Sequence, residues 1–123
     1  MKRYRVLIVE DDTIIGVVLA ELLAGMGHDV CATVATEAEA VTAAFQYKPD
    51  LMIVDAGLGP ESGVTAVEEI LRVRAGPLAH VFVSGDVRRI QARRPGAVVL
   101  RKPFREAELV KAIEMALEAV PAA

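Results

Sequence analysis

Five short, mostly apolar runs alternate along this chain with longer segments of helical spacing. The runs are "YRVLIV" (4–9), "DVCATVA" (29–35), "LMIVD" (51–55), "AHVFVS" (79–84) and "AVVL" (97–100). They are near-continuous rather than strictly alternating, which suits strands covered on both faces. Alternation of strand and helix implies a parallel sheet joined by right-handed crossovers, with helices packed on both sides.

The intervening segments read as helices. In "TIIGVVLAELLAGMG" (13–27), Ile15, Val18, Leu19, Leu22 and Met26 fall on one stripe, and Gly25 and Gly27 supply the stop. "TEAEAVTAAFQYK" (36–48) opens with Thr36 and Glu39 in capping-box spacing and is broken by Pro49-Asp50. "AGLGPESG" (56–63) reads as a loop, and a helix at about 62–74 ends at Gly76-Pro77. The segment 86–94, stopped by Pro95-Gly96, has nine residues, enough for a helix of only about 14 Å. "FREAELVKAIEMALEAV" (104–120) carries a stripe of Leu109, Ile113, Ala116, Leu117 and Val120.

A length of 123 residues fits one domain, 1–123. With 54% hydrophobic but 4% aromatic residues, the core must be aliphatic. A net charge of −3 argues against a direct nucleic-acid binder, which would carry a basic footprint. No apolar run reaches the roughly 18 residues of a membrane span. The apolar run after Met1 meets acids too soon for a signal peptide. Cys31 is the one cysteine, so no internal disulfide exists and a cytoplasmic location is expected; in an apolar segment it reads as a buried, inert thiol.

All strands of such a sheet point the same way, so the residues just past their C-terminal ends share one edge, where open α/β folds bind ligands. Glu10, Asp11 and Asp12 follow the first strand, Asp55 ends the third, Ser84 ends the fourth, and Arg101, Lys102 and Pro103 follow the fifth. Two carboxylates about 4 Å apart repel by about 4 kcal/mol at an effective dielectric of ~20. Either such acids merely start a helix, where the dipole favours them, or a cation gathers them. Asp11 and Asp55, with Glu10 nearby, are hard oxygen ligands suited to Mg²⁺. With Lys102 on its other side, Asp55 would suit a phosphoryl group and act as the nucleophile.

The combination of "LIVEDD", "LMIVD", Gly63, "VFVSG" and "RKPF", in this order over essentially the whole chain, resembles the receiver domain of two-component response regulators, in a single-domain, chemotaxis-response-regulator-like form. The resemblance implies a flavodoxin-like five-stranded parallel sheet of order 2-1-3-4-5. It implies that Asp55 takes phosphate from a sensor histidine kinase or histidine phosphotransfer protein. Mg²⁺ would be held by Asp11, Asp55, the Gly57 carbonyl and Glu10, while Ser84 and Lys102 would bind phosphoryl oxygens. The Lys102-Pro103 peptide is cis in many relatives. Such a protein catalyses only its own phosphotransfer and dephosphorylation.

Three departures stand out. Val99 occupies the place of a usual Tyr or Phe, Gly59 stands where Pro is usual (with Pro60 one later), and the fourth helix is short or irregular. An Asp-nucleophile phosphohydrolase would need Asp-x-Asp after the first strand, and a flavodoxin a Ser/Thr/Gly phosphate loop; "EDDTI" supplies neither. A receiver-like scaffold working without phosphate still fits the sequence, as does a receiver cut from a larger regulator or hybrid kinase. The initiating Met and short tail favour the stand-alone form.

Of 14 Lys and Arg, Arg88, Arg89, Arg93, Arg94, Arg101, Lys102 and Arg105 lie between 88 and 105, and Asp86 is the only acid from 86 to 105. This stripe reads either as a solvated face or as a docking surface, through Arg88, Arg89 and Arg93, for an acidic output protein. Asp86, two residues after Ser84, stands where relatives tune loss of phosphate.

Overall fold

The computed structural model describes residues 2–59, 61–74 and 76–120; Pro60 lies outside them. The elements run β1 (Arg5–Val9), α1 (Thr13–Gly25), β2 (Asp29–Val34), α2 (Glu37–Tyr47), β3 (Leu51–Asp55), β4 (Gly57–Leu58), β5 (Glu61–Ser62), α3 (Gly63–Val73), β6 (Ala79–Ser84), α4 (Val87–Arg93), β7 (Val99–Arg101) and α5 (Glu106–Glu118). The main sheet is parallel, in the order β2-β1-β3-β6-β7. Counting its strands alone, this is the expected 2-1-3-4-5.

Period-two alternation sorts the strand side chains into two cores. Val6, Ile8, Leu51, Ile53, Val81 and Val83 pack with Leu19 and Leu23 of α1 and Leu109 and Ile113 of α5. Leu7, Val9, Met52, Val54 and Phe82 face the other way, onto Ala40 and Ala43 of α2, Val67 and Ile70 of α3, and Ile90 of α4. Because both faces are covered, every residue of β3 is buried.

Several local expectations are corrected. Val18 of α1 is 46% exposed, while Leu23 is fully buried. Apolar residues surround this helix, so spacing alone did not select its buried face. The segment 56–63 is not plain loop: Gly57–Leu58 and Glu61–Ser62 form a two-stranded antiparallel hairpin. The last strand starts at Val99, because Gly96, at φ +84°, turns the chain and the Ala97 N–H closes onto the Arg94 carbonyl (3.0 Å). Helix α5 starts at Glu106, since Glu108 reaches back to the Arg105 N–H (2.8 Å). Helix α4 has seven residues, about 10 Å, as short as expected.

Candidate functional site

The three acids after β1 have three different fates. Asp12 caps α1, its Oδ1 accepting the N–H groups of Ile14 (2.9 Å) and Ile15 (3.1 Å). Helix capping therefore explains this acid and not the other two. Glu10 turns inward: its side chain is 1% exposed. One of its oxygens accepts the Asp12 N–H (3.1 Å), and the other, Oε1, is buried with no hydrogen-bond partner. Asp11 stays exposed, yet one oxygen from each of Glu10, Asp11 and Asp55 lies within 4.8 Å of the others.

Register brings these groups together. Val9 of β1 pairs with Val54 of β3, so the next residues, Glu10 and Asp55, stand side by side one strand spacing apart. Asp55 in turn lies level with Val83, and Val83 with Leu100. Two residues beyond Leu100, Lys102 bends back over the edge. Its backbone N–H is held by the Ser84 carbonyl (2.9 Å), and the peptide to Pro103 is cis. The Lys102 Nζ then donates to Asp55 Oδ2 at 3.1 Å and lies 3.8 Å from Glu10 Oε1. The other Asp55 oxygen accepts the Gly57 N–H (2.9 Å). Burial, and then the adjoining Asp55 carboxylate, push the Glu10 carboxyl up to about 7. An orphaned buried carboxylate oxygen beside two more acids is a fitting cradle for a divalent cation.

Gly63 is required by close approach. A Cβ there would fall 1.9 Å from the Asp55 carbonyl oxygen, and the Gly63 N–H closes the loop onto Ala56 O (2.9 Å). The hairpin between them is tied to α2 by a reciprocal exchange: the Ser62 N–H donates to Glu37 (3.0 Å), and the Glu37 N–H to Glu61 (3.1 Å). Sequence reading missed this tie, because nothing local relates acids 24 residues apart.

Ser84 reaches the edge, but its hydroxyl is turned to the start of α4. It accepts the Asp86 N–H (2.9 Å) and donates to the Asp86 carbonyl (3.3 Å). Asp86 caps α4 through the Arg89 N–H (3.1 Å). The predicted arginine surface is divided. Arg88 and Arg89 are exposed, whereas Arg93 is clamped to α3 by Glu68 (2.6 Å) and Thr65 (2.9 Å). Val99 pairs with Phe82 and packs, half-buried, against the core on the α2–α4 face. Cys31 is half-buried, its thiol donating to Val6 O (3.3 Å), and burial raises its pKa.

A doubly wound sheet of this order, with three acids and a lysine converging on its carboxyl edge, is the architecture of a signalling receiver. The chain belongs to the response regulator receiver domain family, whose model matches residues 6–114. It is 37% identical over 116 residues to the transcriptional regulatory protein PdtaR of Mycobacterium tuberculosis, covering 92% of this chain and 56% of that protein. It is 34% identical to the phyllosphere-induced regulator PhyR of Methylorubrum extorquens, covering 91% of this chain and 43% of that protein. The chain thus spans about half the length of these relatives. The solution structure of the PhyR receiver domain of Erythrobacter litoralis superposes with a TM-score of 0.85 at 33% identity, covering 100% of this chain and 98% of that one. Among the described residues, no helix is long and apolar enough to cross a membrane.

Proposed function

We propose that Asp55 is the phosphoacceptor of a two-component phosphorelay, charged by a sensor histidine kinase or a histidine phosphotransfer protein. The observation that carries this reading is the position of Asp55, with Lys102 Nζ 3.1 Å from one oxygen and the Glu10–Asp11 carboxylates grouped beside it. In the transfer, a carboxylate oxygen of Asp55 forms a bond to phosphorus as the P–N bond to the donor imidazole breaks and its electron pair returns to nitrogen. Lys102 steadies the charge on the phosphoryl oxygens and stays close to the acyl phosphate formed. The Gly57 N–H holds the aspartate's orientation. Glu10, Asp11, Asp55 and the Gly57 carbonyl would hold Mg²⁺. When bound, that ion supplies positive charge against the phosphoryl oxygens and relieves the repulsion among the acids.

The protein then catalyses only its own phosphorylation and dephosphorylation and signals through phosphorylation-dependent contact with an output protein, Arg88 lying on the exposed basic face. Incubation with Mg²⁺ and acetyl phosphate, followed by intact mass, tests the reading. One phosphate is expected on the wild type and none on Asp55→Asn; equal masses for the two proteins would refute it. A phosphate-independent scaffold is the second reading. It is favoured by Val99 in the usual aromatic place and by the Ser84 hydroxyl bonded to Asp86 rather than to Asp55.

A further inference from the structure

We propose that Arg89 draws a small dianionic phosphodonor, of the acyl phosphate class, into the site; this rests on the reading of Asp55 as phosphoacceptor. A cleft of about 420 Å³ runs between the β4–β5 hairpin and α4, with Gly57, Gly59, Ser84, Asp86, Arg89 and Arg93 on its walls. That volume is in the range that takes a small molecule. The cleft adjoins the turn after Asp55, since Gly57 donates to the Asp55 carboxylate.

The charges around it are uneven. Glu10, Asp11 and Asp55 form one acidic group, and Asp86 and Glu61 border the cleft. An approaching dianion meets repulsion from Asp86 and Glu61 on its way in, and Mg²⁺, when bound, offsets only the acidic group at the end of that path. The cations that could offset this are mostly paired already. Lys102 lies against Asp55 and Glu10, and Arg93 is held by Glu68 and Thr65. Arg89 lines the cleft with no acidic partner among the described residues. Its backbone is pinned by the Asp86 cap, so its exposed guanidinium is free to meet an anion entering beside Ser84. A guanidinium pairs with phosphate oxygens through two parallel N–H bonds, which a lysine at the same place would not match. Arg89 thereby leaves the output surface suggested by sequence and joins the site.

The reaction it serves balances without a further reactant. An Asp55 oxygen bonds to phosphorus, the P–O bond to the acyl group breaks, and the acyl carboxylate departs with the electron pair.

The test is the second-order rate constant for phosphate uptake from acetyl phosphate, followed by intact mass at low and at high salt. Arg89→Glu is expected to slow uptake about tenfold at low salt and to approach the wild type within about twofold near 0.5 M salt, as screening removes the field. Arg89→Lys should keep the salt dependence. Lys111→Glu, an equal charge change on exposed α5, should stay within about twofold of wild type. Phosphoramidate, which carries less negative charge, should lose less than acetyl phosphate does in Arg89→Glu. Equal rates for Arg89→Glu and wild type at low salt would overturn the proposal. So would a loss that persists unchanged at high salt, since that is the mark of a packing role. A wild type that takes no phosphate from either donor would overturn both this proposal and the acceptor reading beneath it.

Discussion

The two halves of the site edge are built differently. On the β1–β3 side two of the three acids are buried and held: Glu10 is 4% and Asp55 8% exposed, and both Asp55 oxygens are bonded, while Asp11 stays exposed. Gly63 is pressed against the Asp55 backbone. On the β6–β7 side the Ser84 hydroxyl bonds only to the start of a seven-residue helix, and a Cβ at Gly85 would meet nothing within 4 Å. The acids whose spacing matters sit on the half whose register is set by two buried faces, and Lys102 reaches across to them from the other half. Two of the three departures from the family, the short α4 and Val99, fall on this second half.

The largest expected break in that contrast is at Lys102. Lys102→Ala should slow phosphate uptake about 100-fold, comparable to removing one preorganised donor to a developing oxyanion, with Asp55→Asn at zero as the floor. Progress curves by intact mass measure it, and a loss under about threefold would show that the lysine is not part of the chemistry.

Glycine substitutions compare the two halves directly. Gly63→Ala would drive a methyl into the Asp55 carbonyl and should cost about 3 kcal/mol in urea unfolding, at the upper end for overpacking. Gly85→Ala, with nothing within 4 Å, should change stability by no more than about 0.5 kcal/mol. Equal costs would mean that the two sides are equally constrained.

Glu10 makes the β1–β3 side pH-dependent. Its carboxyl is pushed from 4.5 to about 7, so the folded state binds this proton more tightly than the unfolded chain does. The resulting stabilisation is complete below about pH 4.5 and is lost as pH rises through 7. In EDTA, the wild-type urea midpoint should therefore fall between about pH 5 and 8 relative to that of Glu10→Gln, which cannot lose a proton. Added Mg²⁺ should flatten the difference above about pH 7. A constant gap between the two proteins across this range would show that the proton is not held as described.

The smallest effect is expected at Arg93, on the α4 side. Its ion pair with Glu68 joins side chains 46% and 36% exposed, and exposed pairs contribute about 0–1 kcal/mol. Arg93→Ala should lower stability by less than about 1 kcal/mol, and a double-mutant cycle with Glu68→Ala isolates the pair. A coupling well above that range would make the α3–α4 clamp a main support of α4.

How far the sequence could be read depended on whether a local pattern had one spatial meaning. Helix α3 and the strands β1 and β3 were legible because each has a distinct buried pattern. The buried face of α1 was not, because Ile14, Val17 and Val18 are as apolar as Leu19 and Leu23 yet remain exposed. The two-residue strands of the hairpin were too short for any period to show. The strand order came from family resemblance, since alternation implies a parallel sheet without ordering its strands. The acids after β1 were read as helix start or metal group, and the structure divides them: Asp12 caps, while Glu10 and Asp11 gather with Asp55.

Chemical type and order along the chain were written in the sequence: a carboxylate group, a lone aspartate, a hydroxyl and a lysine, each closing a segment that must be buried. Folding alone decided which of them meet. Strand register placed Glu10 beside Asp55 and brought Lys102 to 3.1 Å. The same packing bound Arg93 to α3, 25 residues away at Glu68. The reason is that contacts between residues distant in sequence depend on how the faces of sheet and helices come together, and no short window of residues encodes that alignment.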